Sequence, residues 1–594
     1  MPNKMVSDYI LERLRAWGVR RIFGYPGDGI NGVIGALRRA GDEFEFVQVA
    51  NEELAGLMAT AHAKYTGEIG VCLSTSGPGA IHMLNGLYDA KLDHTPVLGI
   101  VGQQPTSGLG GATQQEVDLH SMLKDVAAAY VETVVKPDQV RHVIDRAIRI
   151  ALAQRTVTAM ILPHDVQTED AVPEPPHEHG QMHSSVGYTP PRVIPQQADL
   201  ERAAEILNSG QKVAMLVGSG AMQATDEVIA VAELLGAGVA KALLGKAVVP
   251  DDLPFVTGSV GWLGTQASFD MMKECDTLFM IGSAFPYSEF LPKPGQARGV
   301  QIELLPRNIN LRYPFEVGLV GDAGDTLRAL IPLLRRKQNG AWQQKIERNV
   351  RDWYAEVDRR AHVEAPPINP QLVVWELSRR LPDNVIIAGD SGSSAVWIGR
   401  DLRVRRGMKS SLSGLLATMG SAVPYALAAK MAFPDRVAIA IAGDGAMQMS
   451  GINALIDVSK YWREWSDPRL IVLVLNNRDL NYVTWEQRAM EGEPKYEKSQ
   501  RLPDMPYAEF AKLLGLDGMR IDDPSQVGEA WDRALEADRP FVIDAMVNAD
   551  VPTLPPELTQ KIKDHIEKAL ADGDPDAEGV REQIAATRLK VAAE

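Results

Sequence analysis

The chain has 594 residues, with 61 lysines and arginines against 77 aspartates and glutamates, for a formal net charge of −16. This acidic balance argues against a nucleic-acid partner. Apolar residues make up 45% of the chain and charged residues 23%, a composition typical of a soluble globular protein with room for three domains and an extension.

Cysteine usage and the first residues bear on the compartment. Only Cys72 and Cys275 occur, without a CxxC pattern, so neither a disulfide framework nor a zinc site is expected. The start, MPNKMVSDYILERL, has no apolar signal-peptide core, and no apolar run approaches the length of a membrane span. We therefore expect a cytoplasmic protein.

Residues 1–175 alternate predicted strands and helices, the pattern of an open α/β sheet. The strands are predicted over 21–25, 44–49, 69–74 and 96–101. They end in Pro26-Gly27, in Asn51-Glu52-Glu53 and in the turn Thr75–Gly79. Because ligands of parallel sheets bind beyond the carboxyl ends of strands, these turns are candidate ligand contacts.

Residues 176–195 are rich in proline and histidine and are predicted to be a linker. His177, His179 and His183 raise the alternative of a metal site. The prolines of this stretch preclude regular structure, so we favour a solvated linker.

Residues 196–335 form the second predicted domain. The segment KVAMLVGSGAMQ predicts a strand, then Gly218-Ser219-Gly220, then a helix, similar to a dinucleotide-binding turn. Gln223 occupies the position of the third glycine, so this motif alone is weak evidence.

Residues 336–367 are assigned to a second linker, which leads to a third domain over 368–550. Its strand Val385–Ala388 ends at Asp390-Ser391-Gly392. Two further apolar runs, Val437–Ala442 and Leu470–Leu475, flank a helical pattern and predict a βαβ unit.

Oxygen-bearing side chains follow both of these strands. Asp444 and Asn477 should lie side by side at one edge of the sheet, and Gly443 and Gly445 allow a ligand to approach the backbone. A carboxylate, an amide oxygen and a backbone carbonyl beside a phosphate suit octahedral Mg²⁺. The alternative is a tight turn after one strand and an unrelated asparagine pair after the other.

Gly443-Asp444-Gly445, thirty intervening residues and Asn476-Asn477 resemble the diphosphate motif of thiamine-diphosphate (ThDP) enzymes. The resemblance implies that Asp444, Asn477 and the Asp479 carbonyl bind Mg²⁺. The cofactor contacts that it implies in this domain are Ser391, Gly443, Asp444, Gly445, Ala446, Asn477, Asp479, Leu480, Asn481, Tyr482 and Val483.

The segment SGLLATMG, Ser413–Gly420, resembles the L-x-A-T-M-G motif of the same family. The resemblance implies that the Ala417 carbonyl accepts a hydrogen bond from the 4′-amino group of ThDP, beside Thr418. It also implies that Met419 lies between the two rings of the cofactor. Unbranched methionine suits that position, although it is equally ordinary core filler.

The segment VQVANEELAG resembles the V-x-H-E-E motif of pyruvate oxidases, with Asn51 in place of histidine. This implies that Glu52 binds N1′ of the aminopyrimidine. The alternative is a first-turn acid that only stabilises its helix. Further implied contacts on this side are Pro26, Gly27, Thr75 and Asn85.

Two more residues are implied at the substrate. Gln114-Gln115-Glu116 resembles a stretch that reads F-Q-E and lines the active site in acetolactate synthases and pyruvate oxidases. The resemblance implies that Gln115 is a substrate contact, and the missing aromatic residue leaves the substrate preference open. The alternative is a mobile, glycine-rich surface segment. Glu486 matches an active-site carboxylate of the oxidases, whereas Asn481 stands where glycine is common.

The central domain resembles the FAD-binding domain of quinone-dependent pyruvate oxidases in TLFMIGSAFPYSEFLP and VQIELLP. The departures are Ile302-Glu303-Leu304-Leu305-Pro306, and Ser283-Ala284 in place of more polar residues. The alternative is a vestigial domain without flavin. The implied FAD contacts are Gly218, Gly220, Val260, Gly261, Trp262, Leu263, Gly282, Ser283, Ala284, Phe285, Pro286 and Glu303.

Residues 551–594 form a predicted helical tail. Leu558, Ile562, Ile566 and Leu570 make an apolar stripe flanked by both charge signs. We expect this helix to pack on its own protein. Peripheral membrane association through the tail is the alternative, because the quinone-dependent oxidases have a similarly placed segment that engages lipid.

The fold class expected is therefore α/β, with three doubly wound parallel-sheet domains and a helical tail. The resemblance implies ThDP- and Mg²⁺-dependent decarboxylation of a 2-oxo acid, pyruvate first, with the enamine oxidised by FAD and the flavin reoxidised by a quinone, another carrier or oxygen. Non-oxidative carboligation, as in acetolactate synthase, is the alternative, and a catalytically idle ThDP-fold protein is a third. The resemblance also implies a homodimer or homotetramer with active sites shared between subunits.

Overall fold

Three six-stranded parallel sheets form the architecture of this chain in a computed structural model that describes residues 4–338 and 340–591. Helices flank each sheet, so the prediction of three doubly wound α/β domains is confirmed. The strands predicted from the sequence are all present, with bounds that differ by one or two residues.

The first sheet has the strand order β2-β1-β3-β4-β6-β5. Its strands are β1 Arg21–Gly24, β2 Glu45–Gln48, β3 Gly70–Ser74, β4 Val97–Gln103, β5 Val131–Thr133 and β6 Val157–Pro163. The helices of this part are α1 Val6–Ala16, α2 Asn31–Ala40, α3 Glu52–Thr66, α4 Pro78–Leu92, α5 Leu119–Leu123 and α6 Val140–Gln154. Strands β3, β4 and β6 are buried at every residue, as apolar parallel strands covered on both faces should be.

The second sheet has the order β12-β11-β10-β7-β8-β9. Its strands are β7 Val213–Val217, β8 Gly238–Lys241, β9 Val256–Ser259, β10 Thr277–Ile281, β11 Arg298–Glu303 and β12 Val317–Val320. The accompanying helices are α7 Gln197–Ser209, α8 Thr225–Leu235, α9 Gln266–Glu274, α10 Ala323–Leu330 and α11 Ala341–Ala361. This strand order is that of dinucleotide-binding doubly wound folds.

The third sheet has the order β14-β13-β15-β16-β18-β17, which repeats the topology of the first. Its strands are β13 Ile386–Gly389, β14 Lys409–Ser411, β15 Ala438–Gly443, β16 Leu470–Asn476, β17 Asp517–Ile521 and β18 Phe541–Met546. Its helices are α12 Pro370–Arg380, α13 Ser393–Arg400, α14 Ala422–Ala432, α15 Asp444–Ala446, α16 Ile452–Tyr461, α17 Asn481–Glu486, α18 Glu497–Gln500, α19 Tyr507–Leu513 and α20 Gln526–Glu536. Two π-helical turns that the sequence did not predict, Met447–Gly451 and Gln487–Glu491, follow α15 and α17.

The tail contains β19 Glu557–Leu558, α21 Gln560–Ala571, α22 Ala577–Thr587 and β20 Lys590–Val591. Thr559 caps α21 by accepting a hydrogen bond from the Ile562 amide. Ile566 and Leu570 of the predicted stripe are buried in a cluster with Trp485. The prediction that this helix packs on its own chain is therefore confirmed.

The described chain divides into two compact units. The first comprises the residues up to Pro190 together with Ser411–Ala440 and Ala446–Leu470. The second comprises Pro191–Ser410, Ile441–Gly445 and the residues from Ile471 onward. Within residues 4–338 and 340–591, none of the helices combines the length and the apolar composition needed to cross a membrane.

The segment 336–367 differs from the linker that we expected. Most of it is the 21-residue helix α11, which buries Trp342, Ile346, Val350 and Val357 in the core of the central domain. The segment 176–195, in contrast, contains no helix or strand. The apolar stripe of α11 was present in the sequence, but its many charged residues and the proline-rich end of the segment masked it.

We expect Ile346→Ala to lower the free energy of unfolding by about 2–5 kcal/mol, because it removes methylene groups from a filled core and leaves a cavity. Ile346 is fully buried, whereas Arg348 on the same helix is exposed. Thermal melts of Ile346→Ala and of the control Arg348→Ala test this. Equal melting temperatures for the two variants would contradict the burial of α11.

Candidate active site

The candidate residues of the first unit follow the strands at which the order of the first sheet reverses. β2 lies on one side of β1 and β3 on the other, so the loops after β1 and β3 border the crevice where ligands of such sheets bind. These loops are in close contact, since a Cβ added at Gly27 would lie 2.5 Å from the Cβ of Thr75. The Thr75 hydroxyl accepts a hydrogen bond from the Gly29 amide at 3.1 Å. Gly27 and Thr75 therefore lie side by side, and Pro26 directly precedes Gly27 in the same loop.

Glu52 is the first residue of α3 and is only 6% exposed. A Cβ added at Gly79 would lie 2.9 Å from its Oε1 atom, so the glycine leaves room for the carboxylate. Asn51, which replaces the histidine of the resembled motif, caps the helix because its Oδ1 accepts a hydrogen bond from the Leu54 amide at 3.1 Å. The departure from the motif therefore keeps the helix start that orients Glu52.

His82 is a neighbour of Glu52 that the sequence analysis missed. Its Nδ1 lies 3.1 Å from the Glu52 Oε2 atom, and its side chain is 59% exposed. A single histidine in the second turn of α4 belongs to no motif or spacing rule. Only the packing of α4 against α3 brings it beside the carboxylate.

A polar network joins the starts of α3 and α4 to the segments around α14 and α16. The Asn85 amide nitrogen donates to Glu53 Oε1 at 2.6 Å and to the Thr418 hydroxyl at 2.8 Å. The Ser450 hydroxyl donates to Glu53 Oε2 at 3.2 Å. Two of the predicted contacts, Asn85 and Thr418, therefore lie together within one chain.

The loop that contains Ala417, Thr418 and Met419 has a strained backbone. Ala417 adopts φ +54°, in the left-handed region that costs a non-glycine residue about 1 kcal/mol or more, and its side chain is exposed. The Ser413 hydroxyl accepts a hydrogen bond from the Thr418 amide at 3.1 Å and holds the loop closed. Strain at an exposed residue is typical of a ligand contact.

Gln115 lies against the loop after β3. Its side-chain oxygen is 3.4 Å from the Ser76 hydroxyl, and a Cβ added at Gly77 would lie 2.8 Å from its carbonyl oxygen. Gln115 also has a left-handed φ, +63°. Gln115 therefore lies beside Ser76 and Gly77, in the loop that also contains Thr75.

In the second unit, the loops after β13 and β15 border the reversal point of the third sheet. Asp444, directly after β15, is 2% exposed, and burial raises its carboxyl pKa to about 7. Its carboxylate accepts hydrogen bonds from the Gly445 amide at 3.0 Å and from the Arg478 amide at 2.5 Å. A buried carboxylate with only amide partners suits a cation, which would favour its charged form.

The segment after β16 turns beside Asp444. Arg478, whose amide contacts Asp444, has φ +56°. The Asn477 side-chain oxygen accepts a hydrogen bond from the Asp479 amide at 3.1 Å, and the Asp479 carboxylate lies 3.2 Å from Lys495 Nζ. The preceding Asn476 donates to Asp544 instead, at 2.9 Å. Asp444, Asn477 and Asp479 are therefore neighbours, as the motif spacing predicted.

Ser391 and Asn481 lie around the same crevice. The Ser391 amide donates to Asp390 Oδ1 at 2.9 Å, and the Asp390 amide donates to the Ile441 carbonyl of β15 at 3.0 Å. Asn481, at a position where glycine is common in the resembled motif, accepts from the Ser393 hydroxyl at 3.1 Å and donates to the Ala549 carbonyl at 2.7 Å. The Asn481 side chain thus links the start of α13 to the segment that follows β18.

Glu486 ends α17, and burial raises the pKa of its carboxyl group. Burial is also the main cause of the raised pKa values of Tyr482 and Tyr287, to which the charge of Glu486 contributes less. Val483 on the same helix is 49% exposed. The carboxyl group of this helix therefore lies close enough to Tyr287 of the central domain to affect its pKa.

The candidate flavin residues follow β7, β9, β10 and β11 at one edge of the central sheet, around its reversal point. Val260 and Phe285 are buried, Gly261 has φ +100°, and the Trp262 carbonyl accepts a hydrogen bond from Arg400 at 3.1 Å. Glu303 ends β11, and its Oε1 accepts from the Leu305 amide at 3.1 Å. The remaining members, Leu263, Gly282, Ser283, Ala284 and Pro286, lie in the same loops.

The two glycines of the dinucleotide-like turn allow close contact with the loop after β10. The Gly218 amide donates to the Ile281 carbonyl and the Gly220 amide to the Gly282 carbonyl, each at 3.0 Å. A Cβ added at Gly218 would lie 2.5 Å from the Gly282 carbonyl oxygen. These glycines allow two loops to touch, and their amides are already engaged within the protein.

His177, His179 and His183 lie in the segment between the first and second domains and belong to none of the loops described above. The ring centroids of His177 and His183 are 5.6 Å apart. Among residues 4–338 and 340–591, no group of three or more His, Cys, Asp or Glu side chains is arranged to hold a metal ion. The candidate Mg²⁺ site is of another kind, since it combines one carboxylate with an amide oxygen and a backbone carbonyl.

Comparison with known families covers all three domains. Residues 4–122 match the family described as "Thiamine pyrophosphate enzyme, N-terminal TPP binding domain", residues 200–330 match its central domain, and residues 390–545 match its C-terminal TPP binding domain.

Individual relatives extend over nearly the whole chain. The chain is 34% identical over 559 residues to a putative thiamine pyrophosphate-containing protein of Bacillus subtilis, covering 94% of both chains. It is 27% identical over 558 residues to pyruvate oxidase of Lactiplantibacillus plantarum, covering 93% of this chain and 90% of that one. It is 28% identical over 571 residues to a probable acetolactate synthase large subunit of Methanocaldococcus jannaschii, covering 93% of each.

We expect Asn51→Ala to destabilise the first unit by about 1 kcal/mol, because the Leu54 amide loses its capping acceptor. Asn51→Ser, which restores a capping oxygen, should stay close to the native melting temperature. Differential scanning calorimetry of the two variants makes the comparison. If both variants melt alike, Asn51 does not act as a cap.

Proposed function

The chain belongs to the thiamine pyrophosphate enzyme family, and from that premise we propose that it is a ThDP- and Mg²⁺-dependent enzyme that decarboxylates a 2-oxo acid, pyruvate first, and oxidises the product with FAD. The observation that supports this most directly is the buried carboxylate of Glu52, held at a helix start with Gly79 leaving space beside it. An acid in this position is what an aminopyrimidine nitrogen requires.

The residues of the third sheet fit a diphosphate and its metal ion. Asp444 and Asn477 would bind Mg²⁺ with the Asp479 carbonyl, and the loops after β13 and β15 would surround the phosphates. Desolvation raises the Asp444 pKa to about 7, a cost that a bound cation would offset. When bound, ThDP supplies the electron sink for loss of CO₂ from a 2-oxo acid.

Glu52 has the proton-transfer role in this proposal. Its carboxyl group would exchange a proton with N1′ of the aminopyrimidine, with Asn51 orienting the helix and His82 in contact with Oε2. The strained Ala417 would present its carbonyl to the 4′-amino group. Gln115 and Glu486, which are both half-buried, would then face the substrate.

FAD is supported by the strand order of the central sheet and by the pyruvate oxidase among the relatives. The crevice is bordered by buried Val260 and Phe285 and by the carboxylate of Glu303, which suits a ribose hydroxyl. The amides of Gly218 and Gly220 are engaged elsewhere, so phosphate contacts would come from other groups. A quinone, another carrier or oxygen would accept the electrons.

Carboligation is the second candidate function, because acetolactate synthases are also among the relatives at 28–29% identity. In that case the central domain would keep its fold without a redox role. A visible spectrum of the purified protein separates the two functions. Flavin bands that bleach on addition of a 2-oxo acid under nitrogen support oxidation, and their persistence together with formation of a 2-hydroxy-3-oxo acid supports carboligation.

Assembly and location are part of the same proposal. We propose a homodimer or homotetramer with a shared active site, in the cytoplasm, and association with a membrane surface through the tail as the less favoured alternative. Ile81, Leu415 and Met449 of the first unit are exposed apolar side chains, which supports burial against a second copy. Light scattering behind size-exclusion chromatography measures the subunit number.

Glu52→Gln should leave ThDP binding intact but slow deprotonation at C2 of the cofactor by about a hundredfold or more, because the amide cannot exchange the proton. Proton–deuterium exchange at C2, followed by NMR after acid quench, measures this. Glu68→Gln, at an exposed position on the loop after α3, is the control. Native exchange rates in Glu52→Gln would remove Glu52 from the mechanism.

Asp444→Ala should release both Mg²⁺ and ThDP when the protein is desalted, since it removes the anionic metal ligand. Asp522→Ala, at an exposed position in the same domain, should retain them. Cofactor content after desalting is measured by thiochrome fluorescence and atomic absorption. Unchanged content in Asp444→Ala would place the metal elsewhere.

Mg²⁺ affinity should rise with pH. Because the Asp444 pKa is about 7, the proton must leave before the metal binds, so affinity should increase by up to about tenfold per pH unit below 7 and level off above it. Calorimetric titration with Mg²⁺ at excess ThDP between pH 6 and pH 8 tests the slope. A flat profile over this range would mean that another group holds the ion.

A further inference from the structure

The tail is packed against the helix that carries the candidate substrate carboxylate. α17 and the π-helical turn after it contribute one face to an apolar cluster with the tail. The members of this cluster are Trp485, Ala489, Leu554, Leu558, Ile566, Leu570 and Val580. Glu486 and Val483 of α17 lie outside this cluster. The tail therefore supports this helix from the side away from those two residues.

Buried ion pairs tie the tail to the same helix. Arg488, only 1% exposed, donates two hydrogen bonds to Asp574, at 2.7 and 2.8 Å, and a third to Asp576 at 3.1 Å. We call Asp574 and Asp576 the acidic turn, since they lie between α21 and α22 of the tail. The paired geometry of a guanidinium and a carboxylate fixes direction as well as distance.

A lysine extends these contacts to the candidate metal loop, residues 477–480. Lys495 Nζ lies 3.1 Å from Asp576 and 3.2 Å from Asp479, and its amide donates to Asp574 at 2.9 Å. The Asp479 amide donates to the side-chain oxygen of Asn477. The amide of Arg478, the residue before Asp479, donates to the carboxylate of Asp444. A continuous series of contacts thus leads from the tail to Asp479, whose carbonyl is a candidate metal ligand, and on to Asn477 and Asp444.

Buried ion pairs such as Lys495–Asp479 fix the positions of their side chains more than they raise the free energy of unfolding. The side chains of Lys495 and Asp479 are 10% and 2% exposed, so both lose hydration on folding. A buried pair recovers that cost only when its geometry is held, and removal of one partner leaves the other charge uncompensated. Residues that orient metal ligands from outside the coordination sphere commonly change metal affinity by about 10–100-fold.

We propose that the acidic turn of the tail is a positioning element for the metal loop and acts on it through Lys495. The inference rests on the proposed function, because the Mg²⁺ site at Asp444 and Asn477 is itself part of that proposal. Lys495 and Asp576 touch neither the cofactor nor the substrate in this scheme. They hold the loop in the geometry that the metal ion requires.

A purely electrostatic effect of Lys495 and Asp576 can be distinguished from positioning by the direction in which Mg²⁺ affinity changes in the two variants. Removing the Lys495 cation leaves Asp479 as an uncompensated anion near the metal, so charge alone predicts tighter Mg²⁺ binding. Removing the Asp576 anion leaves more of the Lys495 charge unbalanced, so charge alone predicts weaker binding. Positioning predicts weaker binding in both variants, because either change breaks the series of contacts.

The experiment is calorimetric titration of Mg²⁺ into the full-length protein at excess ThDP. We expect Lys495→Met and Asp576→Asn each to weaken Mg²⁺ binding by about tenfold or more. Lys495→Arg, which keeps a cation able to reach both aspartates, should restore most of the affinity. Glu567→Gln, the same carboxylate-to-amide change at an exposed position of α21, should match the native protein.

The outcomes separate the positioning role of the acidic turn from the proposed function of the chain. Thermal melts accompany the titrations, and if Asp576→Asn is unfolded, the comparison of Lys495→Met with Lys495→Arg decides alone. Native or tighter Mg²⁺ binding in Lys495→Met would overturn the positioning role and leave the proposed function intact. Failure of the native protein to bind Mg²⁺ with ThDP would overturn both.

Discussion

Parallel strands deliver their carboxyl ends to one edge of a sheet, and a reversal of strand order leaves a crevice between the two loops at that edge. This constraint recurs in all three sheets of the chain. In the first it brings Gly27 to Thr75, in the second Gly218 to Gly282, and in the third Asp390 to β15. The candidate residues lie far apart in the sequence, but in each sheet the strand order brings their loops together at the reversal point.

Burial of charge is the cost that this arrangement carries. Taking a carboxylate out of water is unfavourable by several kcal/mol in a real protein unless partners compensate it. Asp444 has two amides, Asp479 has Lys495, and Glu52 has His82. The partners of Asp444 are backbone amides, which carry no formal charge. Its raised pKa of about 7 marks it as the position where a cation would be most useful.

Relatives named as pyruvate oxidase and as acetolactate synthase both match this chain over 93% of its length, so overall similarity is compatible with either of the two proposed functions. Under the proposed function, the difference would depend on what the central crevice binds and on which groups face the substrate, for which Gln115 and Glu486 are the candidates. In the central domain the Gly218-Ser219-Gly220 turn packs against the loop after β10. The glycines of this motif are explained by that backbone contact, so the motif is evidence neither for nor against a flavin.

Local patterns in the sequence were sufficient for the three sheets, the strand ends and the spacing of Asp444 and Asn477, because strand periodicity and turn composition act over a few residues. Helix α11 escaped prediction because charged residues surround its apolar stripe. His82 beside Glu52, Asn85 beside Thr418 and Lys495 between Asp479 and the tail depended on the tertiary structure. Such partners are separated by tens to hundreds of residues, and side-chain contact over that distance is decided by packing, which no local pattern encodes.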